Sequence, residues 1–330
     1  MATVSRVLNE SGPVGVETRR RILEVATALR YTPDSAARSL TTRRTGTIGV
    51  LLPDLYGEFF SEVIRGIDAT AQRGGYHLLV SSSHDDKGAL EAAMRAMRGR
   101  VDGLVVMSPD IDAPALVANL ADTTPVVLLN CDVEGTAFDA LNIDNFGGAS
   151  AMVRHLISLG HERIAFIAGS ERNHDAAERL RGYRAVLQRA GLERRAEWER
   201  TGDFTEAGGY RAAAELLVEA VRPTAIFAAN DSMAIGALSA LRESGVRVPE
   251  DVVVVGFDDI PIARYMSPPL TTVHVAINEL GERATRMLLQ AVEEKNVQVK
   301  VQETLPTTLV IRQSCGGCGS PVSAESRCFR

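Results

Sequence analysis

No stretch of this 330-residue chain approaches the roughly 18 consecutive apolar residues that a membrane-spanning helix requires. A charged-then-apolar leader is missing too. The first strongly apolar run, Ile48 to Leu52, is short and lies well inside the chain, so the protein is expected in the cytoplasm, with no membrane partner. Cysteine is scarce: of four, three fall in the last sixteen residues, which makes no disulfide framework. Enzyme signatures are lacking as well. After the first strand-like run, Gly49-Val-Leu-Leu-Pro-Asp54 has no Gly-x-Gly-x-x-Gly with which to cradle a pyrophosphate. There is no Walker loop, Gly-x-Ser-x-Gly elbow or His-Glu-x-x-His. The six histidines, at 77, 84, 155, 161, 174 and 274, do not have metal-ligand spacing. Cys315-Gly-Gly-Cys318 with Cys328 is a fragment of a metal clip without a nearby fourth ligand. The expectation is a non-enzyme with no cofactor, no metal and no catalytic residues.

What is present is ordinary globular composition, 45% hydrophobic and 24% charged, which excludes wholesale disorder and a rod. Charge is unevenly spread. Residues 1–45 hold eight arginines against four carboxylates, a balance of +4, so the rest of a chain of net charge −6 carries −10. A basic head on an acidic body points to a polyanion partner for the head alone, although an exposed Arg-rich helix has the same signature.

The head reads as short helices. Ala2 to Asn9 places Val4, Val7 and Leu8 on one stripe, and Ser11-Gly12-Pro13 ends it. Glu17 to Arg30 is a longer helix with Ile22, Ala26 and Leu29 inward, and Glu17 suits its dipole. Thr32-Pro33 starts a third segment, to Leu40, that is too short to persist alone. Thr41 to Thr47 is a polar, basic linker.

Beyond Thr47, short apolar runs alternate with amphipathic stretches. The strand-like runs are Ile48–Leu52, His77–Ser81, Gly103–Met107, Val126–Leu129, Ile164–Ala168, Ala225–Ala228, Val252–Phe257 and Thr271–Val275. Such alternation means βαβ units and parallel sheet covered on both faces. There are too many units for one sheet. Two runs, about 47–143 and 144–275, predict two doubly wound blocks with a cleft between them, and the helix from Ile277 brings the chain back toward the first.

Ligands of open parallel sheets bind beyond the carboxyl ends of the strands. Those ends carry Asp54, Ser81-Ser82-Ser83, Asn130, Asn230-Asp231 and Asp258-Asp259, with Tyr56, Phe59, Phe60 and Phe204 in adjacent segments. Acidic and amide oxygens beside flat rings suit a small hydroxyl-rich ligand. Each Asp or Asn could equally cap the helix that follows its strand.

Several motifs then converge. Ala2-Thr-Val-Ser-Arg-Val-Leu-Asn9, Glu17-Thr-Arg19, Leu29-Arg-Tyr31-x-Pro33, Ala37-Arg-Ser-Leu40, Gly160-His-x-Arg-Ile164, Arg179-Leu-x-Gly-Tyr183, Ala229-Asn-Asp231, Gly256-Phe-Asp-Asp259 and Pro269-Leu-Thr-Thr272 follow one another in order. In this the chain, from residue 1 to about 315, resembles the lac-repressor (LacI/GalR) family of transcriptional regulators. The resemblance implies an α/β fold of two doubly wound, periplasmic-binding-protein-like subdomains behind a small all-α helix-turn-helix head. The domains would then be 1–32 (partial helix-turn-helix), 33–46 (hinge helix and linker), and 47–314 (effector core). The first subdomain of that core would span about 47–143 plus 277–304, the second about 144–275 plus 305–314, and residues 315–330 would form a disordered tail.

Carried over residue by residue, the resemblance makes Thr3 to Asn9 the recognition helix, with Ala2, Thr3, Ser5, Arg6 and Asn9 at the DNA. Arginine suits a bidentate contact with guanine, which favours Arg6 for sequence discrimination. Leu40 becomes the wedge between central base steps and Ala37 its neighbour. In the core, Arg179 becomes the effector clamp, with Asp258 and Asn130 as polar partners, Phe204 as stacking ring, and Asp231 and Tyr56 also at the ligand. Asp258 favours a neutral sugar or nucleoside over an acid. The partners implied are operator DNA, that effector, and a second copy of the chain, as homodimer or tetramer at the nucleoid. One departure stands out: family heads begin some fifteen residues earlier, so this head lacks its first helix, as a late start codon would produce. A sugar-binding protein with weak or no DNA binding is the alternative.

Overall fold

The computed structural model describes residues 2–8, 12–31, 44–84, 86–108, 124–131, 138–170, 172–293 and 300–317. The head contributes α1 (Ala2–Leu8) and α2 (Val16–Ala28). Val7 is buried between them, but Val4 is 45% and Leu29 73% exposed, and α2 buries no side chain. Leu29 therefore does not turn inward as its spacing predicted; it follows the last helical residue, where the periodicity no longer applies.

The core begins at β1 (Thr47–Leu52), followed by α3 (Glu58–Arg73), β2 (His77–Ser82), α4 (Lys87–Met97), β3 (Gly103–Met107), β4 (Val126–Leu129) and β5 (Asp139–Ile143). After α5 (Asn145–Ser158) come β6 (Ile164–Ala168), α6 (His174–Ala190), β7 (Glu199–Thr201), α7 (Glu206–Leu217), β8 (Ala225–Ala228), α8 (Asp231–Glu243), β9 (Val253–Asp258) and β10 (Thr271–His274). Helix α9 (Ile277–Glu293), β11 (Gln302–Leu305) and β12 (Thr308–Val310) complete the described core.

Two six-stranded sheets result, with orders β11-β5-β4-β3-β1-β2 and β12-β10-β9-β8-β6-β7. The central strands are buried along nearly their whole length, as strands covered by helices on both faces must be. Two features refine the expected pattern. Asp139–Ile143 is a strand, although Asp139 and Asn142 interrupt its apolar run. The second sheet is not wholly parallel, because β12 runs antiparallel to β10. Only two residues separate β12 from β11, too few for a crossover.

The chain passes between the sheets three times: from β5 into α5, from β10 into α9, and from β11 to β12. Helix α9 lies against α3 on the first sheet at a crossing of two glycines. A Cβ on Gly66 would fall 2.1 Å from the Asn278 carbonyl oxygen, and one on Gly281 2.3 Å from that of Val63. The two backbones touch there, so the return to the first sheet depends on residues without side chains. At the C-terminus, Cys315 is not part of a loose tail. It is buried, accepts a hydrogen bond from Thr271 Oγ1 at 3.2 Å, and sits 3.6 Å from His155 Nε2. Cys318 and Cys328 lie outside the described residues.

Each sheet has one point where the strand order reverses, between β1 and β3 in the first and between β6 and β8 in the second. Crevices open at such points beyond the strands' carboxyl ends. The two crevices face each other.

Candidate effector cleft and DNA-binding head

The cavity between the facing strand ends has a volume of about 160 Å³. From the first sheet it is lined by Pro53, Asp54, Tyr56, Glu58, Phe59, Phe60, Met107 and Asn130, and from the second by Asn173, Asp175, Arg179, Asp203, Phe204, Asn230, Ser232 and Asp258.

Arg179 organises the second wall. Helix α6 directs it inward, and it is buried beside Phe257, whose ring centroid lies 3.8 Å from the guanidinium carbon. Its Nε donates to Asn145 Oδ1 at 2.8 Å, its Nη1 donates to the Ala229 carbonyl at 2.6 Å, and Nη1 lies 3.2 Å from Asp258 Oδ1. Asn145 in turn donates from Nδ2 to Asp175 Oδ1 at 2.8 Å. Burial pushes the Asp258 carboxyl up to about 7 despite the neighbouring guanidinium. Asp175 is also raised by burial, with Arg179 opposing.

Two buried acceptors lack hydrogen bonds among the described residues: Asn130 Oδ1 and Asp258 Oδ1. The ion-pair contact of Asp258 Oδ1 with Arg179 is close enough to attract but not aligned as a hydrogen bond. An orphaned buried acceptor is costly, and a ligand O–H or N–H would satisfy it. Asn130, Phe204 and Asp258 also hold φ at +49°, +63° and +110°, left-handed backbone that non-glycine residues adopt at a cost. The Phe204 ring lies over Gly169, where a Cβ would come within 2.1 Å of Cζ, so only glycine leaves it room.

Of the core residues singled out from the sequence, Tyr56, Asn130, Arg179, Phe204 and Asp258 are brought together on the cavity. Asp231 is not. It is fully buried behind the wall, accepting from Thr272 Oγ1 at 2.6 Å and from the Ile260 N–H at 2.9 Å. Asn230, one residue earlier, faces the cavity and caps α8 by accepting from the Met233 N–H, so its side chain serves both purposes. Sequence reasoning missed Asn145 and Asp175. Asp175 was findable, since it precedes Arg179 by four residues on one helix and so shares its face. Asn145 follows the strand that the pattern did not reveal.

Among the described residues the rims are joined by two hydrogen bonds. The Ile262 N–H donates to Glu58 Oε2 at 2.8 Å, and Tyr56 Oη donates to Glu206 Oε2 at 3.4 Å. In the head, Thr3 and Arg6 are exposed on α1. The side chains of Ala2 and Ser5 are not described, and Asn9, Ala37 and Leu40 lie outside the described residues.

Comparison with known proteins agrees with this architecture. Residues 1–34 match the bacterial regulatory proteins, lacI family, and residues 153–315 match the periplasmic binding protein-like domain. The HTH-type transcriptional repressor PurR of Photobacterium profundum is 36% identical over 315 residues, covering 94% of this chain and 94% of the relative. The HTH-type transcriptional regulator GalS of Salmonella typhimurium is also 36% identical over 315 residues, covering 95% of this chain and 92% of its own length. A crystal structure of the lac repressor dimer bound to operator and the anti-inducer ONPF superposes with a TM-score of 0.86 at 32% identity, covering 95% of this chain and 94% of that one. These relatives are transcription regulators along almost their whole length, which speaks against the sugar-binding alternative. The chain belongs to the lacI family of bacterial regulatory proteins: it is a DNA-binding transcriptional regulator with a periplasmic-binding-protein-like core, and it is not an enzyme.

Proposed function

We propose that the chain is a repressor whose grip on operator DNA is set by a small hydroxylated effector, a sugar or nucleoside, held between the two sheets. The observation that carries this reading is the meeting of Arg179, Asp258 and Asn130 at facing strand ends, with two buried acceptors left for a ligand to satisfy. Tyr56 and Phe204 cover the ligand's apolar faces. Asn230 and Asp258, on adjoining strand ends, add oxygens for its hydroxyls.

The mechanism is a population shift. Because the chain crosses between the sheets three times, the two halves can change their relative orientation only about those crossings. A ligand that binds one orientation better than the other moves the heads that precede Thr47. Tenfold control of DNA affinity needs about 1.4 kcal/mol of such coupling. At the DNA, α1 enters the major groove with Thr3 and Arg6 outward, and Ala2, Ser5 and Asn9 complete the contact. Leu40, beside Ala37, opens a central base step from the minor groove, for a few kcal/mol repaid by the kink. Two copies, in a dimer or a tetramer, read a pseudo-palindrome. The protein works in the cytoplasm, at the nucleoid.

A gel-shift assay on the promoter region of the gene encoding this chain, with a panel of sugars and nucleosides, tests this. Specific retention that one ligand changes supports the reading; retention no different from that of unrelated DNA overturns it.

A further inference from the structure

Arg179 is the only cationic side chain among the described residues lining the cleft, and five carboxylates line it with Arg179. Two of these, Asp175 and Asp258, are buried. Most of Arg179 is already engaged, its Nε with Asn145, its Nη1 with Ala229 and Asp258, and its face with Phe257, which leaves Nη2 for a ligand. Asp175 has the Asn145 amide on Oδ1 and the Asn130 side chain beside it, feels Arg179 and His174 only through space, and among the described residues makes no direct ion pair. So two buried carboxylates face one guanidinium, and a buried charge without a counterion is expensive. The orphaned Oδ1 atoms of Asn130 and Asp258 point the same way, since the cleft is short of donors rather than acceptors. A phosphate or carboxylate ligand would meet one guanidinium against five carboxylates. A cleft lined by negative charge concentrates cations, and the rings of Tyr56 and Phe204 are favourable neighbours for one.

We propose that the effector is a positively charged, hydroxyl-bearing molecule, an amino-substituted polyol of the amino-sugar class, and that the Asp175 carboxylate is the counterion of its ammonium group. Asp258 and Asn130 accept from its hydroxyls. This rests on the cleft's being the effector site, and the test separates the two ideas.

The full-length protein is titrated calorimetrically at pH 7 with glucosamine, galactosamine and mannosamine, with their parent hexoses, with gluconate and glucose 6-phosphate, and with ribonucleosides. At least one amino sugar is expected to bind about tenfold or more tightly than its parent hexose. Asp175→Asn, of nearly the same shape, should remove that preference, bringing amino-sugar and parent-hexose affinities to within about threefold of each other. Asp175→Ser should do the same, and circular dichroism establishes that both variants are folded. A hexose, nucleoside or anionic sugar that binds better than every amino sugar overturns this inference, as does a preference that survives both substitutions; either leaves the effector cleft standing. No binding by any member of the panel counts against both.

Discussion

Arg179 is held by four contacts within the second half of the core, and removing it exposes what each was compensating. Asp258 would be left buried without its cation, and breaking such a pair costs about 3–5 kcal/mol. Arg179→Ala is therefore expected to lower the melting temperature of the core and to abolish any ligand-induced thermal shift. Acid–base behaviour follows from the same wall. Asp258, Asp175 and Asp231 are all raised by burial, so the native state keeps protons that the unfolded chain has already released. Raising a carboxyl from 3.8 to about 7 corresponds to roughly 4 kcal/mol against the ionised form. That penalty is absent below the unfolded value and grows as pH rises toward 7. Against the effect of burial, Glu199 is held low by Arg184 and Arg194, Asp203 by Thr205 and Arg211, and Asp259 by His274 and Arg312, and their contribution is lost as pH falls through their lowered values. Melting curves of the ligand-free protein should show maximal stability on the acid side of neutrality, about pH 4.5–6. A maximum above pH 8 would contradict the burial of these three carboxyls.

The helices and strands explain which parts of the molecule could be read in advance. Strands such as Val126–Leu129 and Ala225–Ala228 are short apolar runs buried on both faces, so composition alone reveals them. Asp139–Ile143 is equally buried, but Asp139 is drawn into structure by Lys300 Nζ and the Val301 N–H, contacts from more than 160 positions away. No local pattern carries that information. The same limit applied to the cleft: Asp258 and Asn130 announced themselves at strand ends and Arg179 through the family resemblance, whereas Asn145 matters only because α5 and α6 pack side by side. Asp231 has the residue type of a ligand contact, but it is the first residue of α8, after the capping Asn230, and its carboxylate is taken by Thr272 and Ile260, far along the chain. The crossing of α3 and α9 gives a prediction at this scale. Gly281→Val would force the two backbones apart and should destabilise the protein by about 2 kcal/mol or more, read from urea denaturation. An unchanged midpoint would mean that the helices do not meet there.

Across the whole molecule, charge and architecture divide the work. The +4 head faces a polyanion, the acidic core would repel it, and the described residues contain no helix long and apolar enough to cross a membrane. DNA affinity should fall steeply with salt. Arg6→Ala should weaken binding to the best site by about 1–3 kcal/mol and flatten the preference for it over variants. Equal loss on every sequence would make Arg6 a phosphate contact instead. The link between head and cleft is tested most directly by fluorescence anisotropy of a labelled operator duplex, titrated with the protein at fixed salt with and without a ligand shown by calorimetry to bind the core. The ligand should change the DNA dissociation constant by about tenfold or more in the wild type and leave it unchanged in Arg179→Ala. If a ligand saturates the cleft of the wild-type protein and the dissociation constant for DNA does not move, the two sites are not coupled.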